Sequence, residues 1–154
     1  TGIACTNNVA KITVRSVPDQ PGVAAALFEP LAQCGISVDT IVQNSSMEDL
    51  TDLSFTVTRT DLSEALEVTK HTLSDVAAQG IASDDSLAKV SIVGTGMQDS
   101  PGYASTMFTA LASSDINIEM ITTSEIRITC IVSEGSAGEA ARTLHNAFHL
   151  DEPS

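Results

Sequence analysis

The chain repeats itself, and no other feature narrows its fold so far. Ala10-Lys11-Ile12-Thr13-Val14 is answered by Ala88-Lys89-Val90-Ser91-Ile92. Pro21-Gly22 returns as Pro101-Gly102, Phe28 as Phe108, and Leu31-Ala32 as Leu111-Ala112. Ile36, Val38 and Ile41 return as Ile116, Ile118 and Ile121. Self-similarity at a nearly fixed offset marks two copies of one supersecondary unit. The second copy carries two extra residues in its first loop, Gly94–Ser100. A short polar stretch at Asp84–Leu87 divides the copies, which predicts a first module over 8–85 and a second over 86–150.

Each copy reads strand, helix, strand, strand, helix, and the first adds a last strand. Lys11–Val17 alternates apolar residues and is rich in β-branched ones, so it is predicted as a strand. Pro21 is placed at the first helical position, and Val23, Leu27, Leu31 and Cys34 follow at helical spacing up to Gly35. Pro30 inside that helix predicts a kink or an early end, because it lacks an N–H and crowds Ala26. Strands are predicted at Ser37–Ser45 and Asp52–Thr58 around a polar turn, Ser46–Thr51. Leu62, Leu66, Thr69, Leu73 and Val76 mark a second helix, with Asp61 and Glu64 as a capping-box pair and Gly80 as its stop. Ile81–Ser83 is a short last strand.

The second copy predicts a strand at Lys89–Gly94, a helix over Pro101–Ser113, and strands at Asn117–Thr123 and Ile126–Val132. Its last helix opens with Ser136 and Glu139 and buries Ala140, Leu144 and Phe148. No final strand follows. The N-terminal stretch 1–7 has no place in the first copy, so it is expected to donate the missing strand to the second. The fold class is therefore α+β: two ferredoxin-like βαββαβ modules, each an antiparallel sheet with helices on one face.

Charge limits the partners. Seven basic against twenty acidic residues leave a net charge of -13, which repels nucleic acid and anionic membranes. Cys5, Cys34 and Cys130 are odd in number and scattered, which suits a reducing, cytoplasmic setting and free thiols. Cys34 reads as a small buried hydrophobe and Met107 and Met120 as core. His145 and His149 have metal-like spacing but no third ligand nearby, so neither a metal nor a cofactor is expected. There is no phosphate-binding glycine loop and no catalytic acid–base or nucleophile set. The chain opens on Thr rather than Met, which fits a piece of something larger.

The βαββαβ unit also carries RNA-binding domains and acylphosphatases. An RNA binder needs exposed aromatics and basic charge on its sheet, and here the candidates are Thr, Ser and Ile. An acylphosphatase needs an Arg-bearing anion loop, whereas Val17-Pro18-Asp19-Gln20-Pro21-Gly22 is acidic. That loop is the informative one. Asp19 supplies a carboxylate, Gly22 lets a ligand approach the backbone, and the N–H groups of Val23 and Ala24 open a helix. A carboxylate beside a helix N-terminus suits the two ends of an amino-acid zwitterion, and Gln43 would read a polar side chain. The same residues also make an ordinary strand-to-helix turn, and spacing alone leaves both readings open.

The run from Val17 to Phe28 resembles the first ACT module of bacterial aspartokinases, as does Val38–Ser46. The second module is similar through Ala88–Met97 and Asn117–Ile128, and the ending Ala141–Phe148 fits the same family. The resemblance covers about residues 2–150. It implies a regulatory domain without catalytic residues, which binds threonine, lysine or both and represses an aspartate-phosphorylating kinase domain or α subunit. Asp19, Gly22, Val23, Ala24 and Gln43 match the family's effector pocket, and Asn117 and Ile118 match a partner module's contribution. Ser46, Ser54, Thr123 and Ser124 match positions where changes relieve feedback. A homodimer with first modules facing second modules is expected. The alternative is a free-standing ACT sensor serving another metabolic enzyme or regulator.

Overall fold

The computed structural model describes residues 2–45, 48–94 and 102–148. Ser46, Pro101, His149 and most of the Gly94–Ser100 loop lie outside them. The chain forms two units, residues 8–85, and residues 1–7 with 86 onward.

The first strand of the chain, β1 (Gly2–Thr6), belongs to the second unit. The first unit runs β2 (Ala10–Pro18), α1 (Val23–Gln33), β3 (Ile41–Ser45), β4 (Leu50–Val57), α2 (Leu62–Thr72) and β5 (Gly80–Asp84). Its sheet is antiparallel in the order β3-β4-β2-β5. Alternation along the strands turns Ile12, Val14, Leu53, Phe55 and Val57 to one face, where Leu27, Leu31 and Ala65 cover them. The Phe28 ring meets Phe55 edge-on at 5.1 Å. Phe55 is fully buried, so truncating it to alanine would cost about 3–5 kcal/mol.

The second unit adds β6 (Leu87–Val93), α3 (Tyr103–Ser113), β7 (Met120–Thr123), β8 (Arg127–Ser133) and α4 (Ala137–Ala147). Its sheet order is β1-β6-β8-β7, again antiparallel. Here β1 pairs with β6 from Gly2↔Val93 to Thr6↔Lys89, so it occupies the place that β5 holds in the first unit. Val90, Ile92, Cys130, Met107, Leu111, Ala140 and Leu144 form the core, and Tyr103 stacks on Phe148 at 5.9 Å. This is the α+β arrangement of two βαββαβ modules that the repeat implies. The repeat reaches individual contacts: the hydroxyls of Thr13 and Ser54 meet at 3.0 Å, and those of Ser91 and Thr129 meet at 2.7 Å in the matching place.

Several local expectations need correction. Helix α1 does not end at Pro30 but continues to Gln33, because the proline removes only its own N–H and Cys34 still donates to the Pro30 carbonyl at 3.2 Å. Cys34 is exposed rather than buried, since it lies past that helix end. Strand β3 begins at Ile41, not Ser37, because the Thr56 hydroxyl takes the N–H of Thr40 at 3.0 Å and interrupts the ladder. Neither Asp61 nor Ser136 caps its helix through a side chain. Instead a turn of 3-10 helix precedes α2, and Thr58 caps that turn by accepting the Asp61 N–H at 3.2 Å. Helix α2 stops at Thr72, well before Gly80. Ala77 takes a left-handed φ of 56°, and Ala78 returns its N–H to the Leu73 carbonyl at 3.0 Å.

Candidate functional site

The candidate site is built where β2 hands over to α1. Val23 donates its N–H to the Gln20 carbonyl at 3.4 Å, and Gly22 lies at φ 91°, ψ -12°. Those values describe a type II turn, with Pro21 and Gly22 as its central residues. Pro21 therefore sits in a turn and not at the first helical position. Gly22 is required by backbone angle alone, because a Cβ there would meet nothing within 4 Å. One consequence alters the expected donor set. The Val23 N–H is already engaged, whereas that of Ala24 finds no acceptor among the described residues.

The loop is pinned from below. Asp19 donates its N–H to the Asp49 carbonyl at 2.8 Å, and Gln20 donates to the Pro18 carbonyl at 3.0 Å. The Asp19 carboxylate thereby comes over the edge strand β3. There the Gln43 Nε2 donates to Asp19 Oδ1 at 3.4 Å. Asp19, Gly22, Val23, Ala24 and Gln43 together line an open cavity of about 340 Å³. Pro18, Gln20, Pro21, Thr51 and Leu53 complete its wall. Thr51 and Leu53 escaped the sequence reading. They lie on β4 directly opposite Ser45 and Gln43, and only the strand register brings them to the cavity. The Thr51 hydroxyl is committed to the Asn44 carbonyl at 3.1 Å, so Leu53 and the prolines supply apolar wall.

The other predicted residues are placed elsewhere. Ser54 points to the face opposite Leu53 and Phe55, held by Thr13, and does not line the cavity. Ser46 lies outside the described residues. Asn117 and Ile118 belong to the second unit and precede β7, which begins at Met120 and not at Asn117. Asn117 is exposed, and Ile118 packs against the second core. Thr123 ends β7 opposite Ile128, the position that Gln43 opposite Leu53 holds in the first unit. Ser124 follows it and closes the turn, donating its N–H to the Arg127 carbonyl at 2.7 Å.

The cavity offers one carboxylate, from Asp19, two side-chain amides, from Gln20 and Gln43, and the free helix N–H of Ala24. Such a set has the chemistry to meet both ends of a small polar ligand and contains no nucleophile–base pair. Among the described residues no three His, Cys, Asp or Glu side chains gather as metal ligands, and no helix is long and apolar enough to cross a membrane. By fold and cavity this is a tandem βαββαβ protein with a ligand-sized pocket at the first strand–helix loop.

Comparison with known proteins narrows that class. The family model for the ACT domain matches residues 12–73 and 90–148. The aspartokinase of Pseudomonas aeruginosa is 46% identical over 153 residues, covering 99% of this chain and 37% of that protein. The crystal structure of aspartokinase alpha and beta subunits contains a chain 44% identical, with a TM-score of 0.91 over 97% of this chain and 98% of that one. The ligand-free regulatory subunit of aspartate kinase from Thermus thermophilus is 40% identical, with a TM-score of 0.91 over 96% and 97%. The chain belongs to the ACT domain family, in the group of aspartokinase regulatory modules.

Proposed function

We propose that this chain is the amino-acid-sensing, non-catalytic part of an aspartokinase, an enzyme that phosphorylates the side-chain carboxylate of aspartate with ATP. Its effector is threonine, lysine or both, and its partner is the kinase domain or α subunit, which effector binding represses. The observation that carries this reading is the meeting of Asp19 with Gln43 in a cavity of about 340 Å³ that Ala24, with its unused N–H, also lines. The effector's ammonium would sit against Asp19, and its carboxylate would face the α1 N-terminus, where the free N–H and the helix dipole both favour an anion. Gln43 would turn its amide to the effector side chain. The volume lies within the roughly 300–1,000 Å³ usual for small-molecule sites. The likeness to a chain crystallised alone as a regulatory subunit supports a function without catalytic residues of its own. Calorimetric titration with each of the twenty amino acids tests the reading. Threonine, lysine or both should release or absorb heat saturably and the others should not, and silence from both would end it.

A further inference from the structure

We infer that Asp52 is a positioning residue for this pocket: its carboxylate holds a bulge in β2 that carries Asp19 over Gln43. The inference rests on the effector reading above and assigns a residue that does not line the cavity.

Burial along β2 breaks the alternation of a regular strand. Ile12 and Val14 face the core, so a regular strand would turn Ser16 inward and Val17 outward. Val17 is nevertheless fully buried. The ladder explains how. Val14 pairs with Leu53 and Val17 with Thr51, so Arg15 and Ser16 together oppose the single residue Asp52. Two residues against one is a β-bulge, and bulges recur where a strand must re-aim its side chains beside a site. Ser16 sits in the left-handed region at φ 56°, a costly place for a residue with a side chain. Its N–H, which would otherwise lose its ladder partner, is taken by Asp52 Oδ1 at 2.8 Å. Beyond the bulge β2 resumes in the shifted register, Pro18 meets Leu50, and Asp19 reaches the Asp49 carbonyl. The bulge therefore determines which way Asp19 arrives.

The second repeat provides an internal control. The matching registers set Gly94 in the place of Ser16 and Arg127 in the place of Asp52. There Val93 pairs with Arg127, and Gly94 donates to the Ile126 backbone carbonyl at 2.8 Å. No side-chain acceptor is involved and the ladder stays in register as far as Val93. The two repeats diverge where the first must deliver its carboxylate.

The test reads the pocket with and without ligand. In Asp52→Ala, the Gln43 side-chain NH₂ resonances should move toward free-amide positions, and threonine affinity should fall about tenfold. Asp52→Asn keeps an acceptor oxygen and should restore both. If Asp52→Ala does not fold, it is introduced into Ser16→Gly, where glycine tolerates φ 56° without strain. There the lost tether alone should weaken threonine about threefold. A folded alanine variant in either background, with Gln43 resonances and affinity at their values before Asp52 was changed, overturns the inference. If the resonances move while threonine and lysine bind neither protein, the positioning role stands and the effector reading falls.

Discussion

Gln43 donates to the carboxylate of Asp19 at 3.4 Å, across 24 residues of sequence. The distance is long for a hydrogen bond to a carboxylate, so the contact is weak and open to replacement. An incoming ammonium would form the stronger bond to Asp19 and free the Gln43 amide. The pair thus resembles a site held ready by its own two ends.

Removing either end should therefore be felt by ligand and not by fold. Asp19→Ala is expected to weaken threonine or lysine by about tenfold or more, the worth of one charge-assisted contact. Asp19 and Gln43 are both exposed, so Asp19→Ala and Gln43→Ala should leave the melting temperature within about 2 °C. Calorimetry and thermal melts on the same samples check both halves. Unchanged affinity would remove Asp19 from the site.

The space near the helix start is equally specific. Ala24 is exposed and lines the cavity beside Gly22. Ala24→Thr should fill the volume the ligand needs and raise the effector's Kd several-fold, with circular dichroism unaltered. Normal binding by this variant would put the ligand elsewhere.

Cys130 makes a pH statement. Burial pushes its thiol from the ordinary 9.0 up to about 12, and its Sγ lies 3.9 Å from Met107 Sδ. The unfolded chain releases that proton from about pH 9, whereas the folded chain holds it to about 12. Stability conferred by the neutral thiol is thus fully present below pH 9 and declines above it, by about 1 kcal/mol per pH unit until the folded thiol ionises. Denaturant titrations of wild type and Cys130→Ala should converge between pH 9 and 11. Cys5 and Cys34 are exposed, so a thiol reagent at pH 8 should modify two cysteines in the native chain and three after unfolding.

Assembly can be tested through Asn117 and Ile118, which by the family resemblance match a partner module's contribution to the effector pocket. If two chains share the effector, ligand should tighten the dimer as well as raise the melting temperature. Mass action gives about 2.7 kcal/mol at a hundredfold excess over Kd. Sedimentation with and without threonine measures the dimer constant. Tight binding that leaves this constant unchanged would mean that each module senses alone.

The repeat, the alternation of Ile12 and Val14, and the Pro-Gly before each first helix were enough to read the fold and the pocket's address. What escaped were places where a side chain replaces a backbone partner. Thr56 shortens β3, Thr58 caps ahead of α2, and Asp52 holds the bulge at Ser16. Periodicity reports which face a residue takes, but not which N–H a hydroxyl or carboxylate will claim. Thr51 and Leu53 were missed for a related reason: cross-strand neighbours depend on register, which the alternation within a single strand does not report.

The central claim, an amino acid held between Asp19 and the start of α1, is met most directly by an NMR titration of the chain with threonine and with lysine. At least one of the two should shift the backbone amides of Asp19, Gly22 and Ala24 and the side-chain amide of Gln43 more than any others, saturably and together. Shifts centred on other residues, or none at millimolar concentrations of either amino acid, would contradict the account.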